Sequence, residues 1–180
     1  MEELAELKRR LATERPDSWD ELPDIPLYMD QVVSYLARQH ISFEEGEGLT
    51  SAMINNYIKD GLLSRANGKK YEQEHLAFLT AITAMKQVLS VREMHALASI
   101  SREGRDNKRV YDFFCKSLDE ALTETAQRLD EDTTDYDLPK LVLALAMRSY
   151  ADALACRRVL AILAERQGKS ELLEKNKKKS

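Results

Sequence analysis

Six side chains able to contact a polyanion or a base edge fall within sixteen residues of this chain: Asn55, Asn56, Lys59, Arg65, Lys69 and Lys70. An asparagine amide can present one donor and one acceptor together to the edge of adenine. Lysine and arginine meet phosphate oxygens. From Thr50 to Tyr71 there are four bases (Lys59, Arg65, Lys69, Lys70) against one acid, Asp60, a local charge of +3 in a chain whose net charge is −4. That overall charge excludes coating nucleic acid by bulk electrostatics and leaves a local basic patch as the only such route. Residues 1–30 hold nine acids and four bases, so the amino end is not expected to face phosphate.

Other chemistry finds little footing. There is no Gly-rich phosphate loop, nucleophile elbow or metal-binding helix motif, and no enzyme activity, cofactor or metal site is expected. Cys115 and Cys156 lie in apolar helical sequence without CxxC spacing, as small core residues. His75 and His95 have no second ligand in register and are expected to be structural or surface residues. His40 belongs to a loop. The acidic run Asp130, Glu131, Asp132, Asp135, Asp137 lacks the alternating ligands and central glycine of a calcium loop. With no basic, apolar leader and no apolar run near the ~20 residues of a membrane span, a reduced cytoplasm is the expected home.

The elements that must position these residues are helical. Among 180 residues only 6 are Gly and 4 are Pro, too few reversals for a sandwich or barrel. Leu4, Leu7 and Leu11 mark a first helix over 2–14. Residues 16–26 form a strap anchored by Trp19, Leu22 and Ile25. A helix over 29–39 turns Val32, Val33 and Leu36 inward. Residues 40–49, with Glu44, Glu45 and Glu47, read as a loop. Thr50 then caps a helix to about Asp60, which Gly61 closes in the left-handed conformation. Ala52, Met53, Ile54, Tyr57 and Ile58 supply its packing contacts. Asn67-Gly68 between short extended arms predicts a β-hairpin, both residues tolerating the positive φ of a type I′ turn. Tyr57 and Tyr71 are expected to pack rather than stack on bases.

Helix resumes from Glu72 to about Val88, with Leu76, Leu79, Ile82 and Met85 on one face. Ser90 and Glu93 form a capping box for another, holding Val91, Met94, Leu97 and Ile100. A polar turn at 101–107 contains Gly104. A long helix to about Leu129 has a broad apolar stripe of Val110, Phe113, Phe114, Leu118, Ala121 and Leu122. Asp137 caps a last helix, with Pro139 in its first turn, running to about Gln167. Its residues 141–147 are apolar all round, which implies cover on most sides, within the bundle or between subunits. The tail from 168 carries Lys175, Lys177, Lys178 and Lys179.

Helix, loop, capped helix, Asn-Gly hairpin and helix is the plan of a winged helix-turn-helix. On Asn56-Tyr57-Ile58-Lys59-Asp60-Gly61-Leu62-Leu63, Lys69-Lys70-Tyr71 with Glu72-Gln73-Glu74-His75-Leu76, and Ser90-Val91-Arg92-Glu93-Met94, the chain resembles the MerR-type regulators over residues 27–100. The resemblance implies that these motifs are the end of the recognition helix, the wing entering the next helix, and the short helix beyond. The whole chain also resembles an uncharacterised bacterial family carrying such a head. MerR relatives usually have arginine where Asn55 stands, an aromatic at Asn56, and a tight turn in place of the ten-residue loop.

The expectation is therefore an all-α fold: an N-terminal helix and strap (1–26), a MerR-like winged head (27–100), a helical dimerisation region (101–167) and a basic tail (168–180). Its function would be DNA-binding transcriptional regulation. Thr50, Asn55, Asn56 and Lys59 would meet the major groove, and Arg65, Lys69 and Lys70 the phosphate backbone. The expected partners are double-stranded DNA and a second copy, joined through the C-terminal helices. The alternative, suggested by the acidic loop and acidic amino end, is a protein-interaction module with a degenerate head.

Overall fold

The computed structural model describes residues 2–43, 48–102, 106–168 and 173. The loop acids Glu44, Glu45 and Glu47, the turn residue Gly104 and the tail lysines Lys175, Lys177, Lys178 and Lys179 lie outside the described residues. The described chain is all-α: α1 (Glu2–Thr13), a 3-10 turn (Trp19–Glu21), α2 (Met29–Leu36), α3 (Ser51–Lys59), α4 (Gln73–Met85), α5 (Val91–Arg102), α6 (Asn107–Arg128) and α7 (Leu138–Arg166).

Helix α4 is the axis of the core. Leu76, Leu79 and Ile82 are fully buried, and they meet Val32, Leu36, Ile54, Leu62 and Met94 in one continuous apolar cluster. That cluster runs from Leu22 in the strap to Tyr111 in α6, so the first turns of α6 pack into the same core as the head. Helix α1 lays its leucine stripe along α6. There Arg15 donates to Asp119 Oδ1 at 2.5 Å and to Thr123 Oγ1 at 2.9 Å.

The strap is tied down by polar bonds as well as by Leu22. Tyr35 Oη donates to the Asp17 carboxylate (2.7 Å), Gln39 exchanges two bonds with Asp17 (2.8 and 3.0 Å), and Tyr111 Oη donates to the Asp17 carbonyl (2.8 Å). The Gln39 bonds account for the early end of α2. Beyond Leu36 the chain tightens into i→i−3 bonds, Arg38 to Tyr35 and Gln39 to Leu36, which swing Gln39 towards Asp17 instead of continuing to 39 as a helix.

Several sequence expectations are corrected, among them Cys156, expected in the core but exposed on α7. Ile25 is not an anchor but 65 % exposed, because the bend at Asp24–Ile25 between two prolines turns it outward. Phe113 is 73 % exposed; it lies about 200° around α6 from buried Tyr111, off the stripe that Phe114, Leu118 and Leu122 form. Ala52 and Ala121 are also exposed. Most of residues 141–147 are uncovered within this chain: Val142, Leu143 and Met147 are more than half exposed. Helix α7 touches the body mainly near its C-terminal end, where Leu160 and Ala164 pack on Ala96 and Ile100 of α5.

Candidate nucleic-acid interface

Helix α3 is fixed at both ends by its own sequence. The Thr50 side chain accepts a hydrogen bond from the Met53 amide (3.2 Å), satisfying one of the free donors of the first turn. At the other end Gly61 takes φ 75°, and the amides of Leu62 and Leu63 both return to the Tyr57 carbonyl. Ile54 and Tyr57 are buried, and burial pushes the Tyr57 phenol above its ordinary range. At 100° per residue, Asn55, Asn56 and Lys59 then occupy one arc of about 100° on the opposite side, and all three are exposed.

The turn that follows differs from its sequence reading in two ways. First, no β-strand occurs among the described residues. The hairpin consists of one antiparallel bridge, Asn67 with Lys70, closed by two 3.0 Å bonds. Its arms cannot lengthen. Tyr71 spends both backbone groups on Leu27 at 2.8 Å, and Glu72 is already the cap residue of α4. Second, the central pair is Gly68-Lys69, with φ 57° and 72°, not Asn67-Gly68. The turn is offset by one residue, and a lysine occupies a conformation that favours glycine.

A histidine holds this turn against α4. His75, 8 % exposed, accepts at Nδ1 from the Glu72 amide (3.1 Å), which leaves the proton on Nε2 to donate to Ser64 Oγ (3.1 Å). Its edge-on contact with the Tyr71 ring completes a small buried cluster. The Glu-x-x-His spacing of an N-cap and third helical residue is the only sequence signal for it. A second feature has none: Lys70 Nζ sits 5.3 Å from the ring centre of half-exposed Tyr28, which braces the lysine from the strap side.

All seven predicted contact residues (Thr50, Asn55, Asn56, Lys59, Arg65, Lys69 and Lys70) are exposed. The structure thus brings Asn55, Asn56 and Lys59 onto one helix face and puts Lys69 and Lys70 at the turn. Thr50 has its side-chain oxygen engaged in the cap. No group of three or more His, Cys, Asp or Glu among the described residues could hold a metal ion, and both cysteines are free. Burial raises the Cys115 thiol above its usual range, which favours the neutral thiol. No described helix is long and apolar enough to cross a membrane.

Residues 17–114 match the domain of unknown function DUF1836, more than half of the chain. The chain belongs to this family. No curated protein and no solved structure matches it. The DUF1836 segment coincides with the continuous core, which begins at the strap and ends in the first turns of α6. Helix α1 and helix α7 lie outside it.

Proposed function

We propose that this chain is a DNA-binding transcriptional regulator of MerR-like, winged helix-turn-helix type, acting as a binding protein without catalysis or cofactor. The observation that carries the reading is the exposed arc of Asn55, Asn56 and Lys59 on a helix capped at both ends, followed directly by a turn bearing Lys69 and Lys70. In this reading α3 is the recognition helix and the Gly68–Lys69 turn a minimal wing. The asparagines read base edges, and Lys59, Arg65, Lys69 and Lys70 neutralise phosphates. A pair of such heads in a reduced cytoplasm would meet two half-sites on one face of the duplex, spaced by whole helical turns of ~34 Å.

Titrating random duplex at several salt concentrations tests it. Replacing Lys69 and Lys70 by Ala should weaken binding equally on all sequences and reduce the log–log salt slope by about 2. Replacing Asn55 or Asn56 by Ala should alter sequence preference with the slope unchanged. Absence of duplex binding by the parent protein at low salt would overturn the reading.

A second reading, a protein-interaction module, draws on a different feature. A cleft of about 310 Å³ between α4, α5 and α6, walled by Phe78, Leu97, Val110 and Phe114, has exposed Phe113 at its edge. A stoichiometric protein partner that survives nuclease treatment and is lost on Phe113→Ser would favour it.

A further inference from the structure

The cleft of about 310 Å³ between α4, α5, α6 and the strap gathers the only tryptophan of the chain, Trp19, three of its four phenylalanines, Phe78, Phe113 and Phe114, and Tyr111. Its space is left by alanines, Ala77 and Ala81 of α4 and Ala98 of α5, which stand where larger side chains would close it. Three of the rings form a tilted series. Trp19 lies edge-on to Tyr111 with 6.1 Å between ring centres, and Tyr111 lies 5.7 Å from Phe114 at 32°. The series is fixed from outside the cleft: the Trp19 carbonyl accepts from Gln73 Nε2 (2.9 Å), and Tyr111 Oη is spent on the Asp17 carbonyl (2.8 Å). Phe113 stands open at the rim, 73 % exposed.

We propose that this cleft binds a small uncharged aromatic molecule of about two rings, laid against Tyr111 and Phe114 as the next member of the series and covered by Phe113. Size separates this occupant from a protein partner. A docked helix seats several side chains spaced over two or more turns, whereas this volume lies at the low end of the ~300–1,000 Å³ of small-molecule pockets. Charge decides the rest. Among the described lining residues Glu74 is the only charged one, and it is exposed, so water screens it from a ligand cation while it repels an anion. A charge carried further in would lose its hydration among carbon walls that hold no counter-charge. The remaining polar groups are neutral. Ser101 and Asn107, at the end of the cleft where α5 passes to α6, can share a hydrogen bond with a hydroxyl or carbonyl on the ligand ring. Nothing in this site uses the exposed face of α3 or the Lys69 turn, so it and the DNA-binding reading can fail separately.

A single tryptophan makes the site its own reporter. Biosynthetic labelling of the full chain with fluorotryptophan gives one fluorine resonance, at Trp19. Titration with 2-naphthol should move it saturably, with a dissociation constant on the order of 100 μM. The matched ions 2-naphthoate and 2-naphthylmethylammonium should each bind at least about 5-fold more weakly. Ala98→Phe, which fills the cleft from a half-buried position, should abolish the shift, and Phe113→Ser should weaken binding by about 5-fold, circular dichroism checking that both variants fold. Met147→Glu, on the exposed apolar side of α7, should leave the titration unchanged. A resonance that 2-naphthol does not move overturns the proposal. So does an Ala98→Phe chain that folds and binds as the parent does, or an ion that binds as tightly as the naphthol.

Discussion

Lys69 has φ 72°, a conformation in which an L side chain crowds its own carbonyl, and it is the only non-Gly residue with positive φ among the described residues. Its presence there separates the charge of the turn from its shape. Lys69→Gly should stabilise the protein by about 0.5 to 1 kcal/mol, read from the urea midpoint, while removing one cation from the turn. Lys69→Ala leaves the same backbone strain in place, so any loss of duplex affinity in that variant reports the missing charge. The turn's offset could not be read from the sequence. Asn67, Gly68 and Lys69 offer two candidate pairs, and the choice falls to Tyr71, whose backbone is already committed to Leu27 far away in the chain. The Tyr28–Lys70 contact was invisible for the same reason: it depends on which side of the turn the strap passes.

Helix ends with a side-chain cap or a glycine stop were legible because their signals are local, whereas the ends of α2 and α4 came earlier than expected and Asp137, expected to cap α7, makes no side-chain cap bond. Thr50 caps α3, Gly61 closes it, and Ser90 with Glu93 opens α5 through bonds of 2.8 to 3.3 Å, as their residue types foretold. The cap also changes what Thr50 is for. Thr50→Ala should lower stability by about 1 kcal/mol in equilibrium unfolding, and Thr50→Ser should restore nearly all of it. If the residue also touches a groove, the Ala variant will lose more duplex affinity than its stability accounts for. The exposed face of α3 was equally legible, since a helix that buries Ile54 and Tyr57 must turn Asn55, Asn56 and Lys59 away. Helix α7 was not. An apolar stretch announces that something covers it, but the covering group need not lie in the same chain, and here most of 141–147 remains open to solvent.

The way α1, the end of α2, α4 and α6 meet sets one part of the protein's response to acid. They line an open cleft of about 740 Å³, and His40 lies on its wall with a buried Nε2 that has no hydrogen-bond partner among the described residues. Burial, helped by the nearby Lys86 ammonium, pushes the imidazole from 6.5 down to about 4. A histidine depressed in this way contributes its full stability above pH 6.5, where neither folded nor unfolded chain binds the proton. That contribution is lost as pH falls towards 4, because the unfolded chain is protonated first. Chemical denaturation between pH 7 and 4 should show a fall on the order of 2 kcal/mol, after allowance for partial solvent screening, and His40→Leu should flatten it. Sequence placed this residue in a loop, correctly, but a loop residue on the wall of this cleft is not an exposed one.

The pair of 2.8 Å bonds between Leu27 and Tyr71 has a consequence for how the head comes apart. Those residues bracket α2 and α3 completely, so the two amides act as a clasp on a closed ring of chain. Neither can exchange its hydrogen for deuterium by fraying of a nearby helix end; the ring must open as a unit. Their exchange rates should consequently match each other and track the slowest amides of α4, although both residues lie outside every helix.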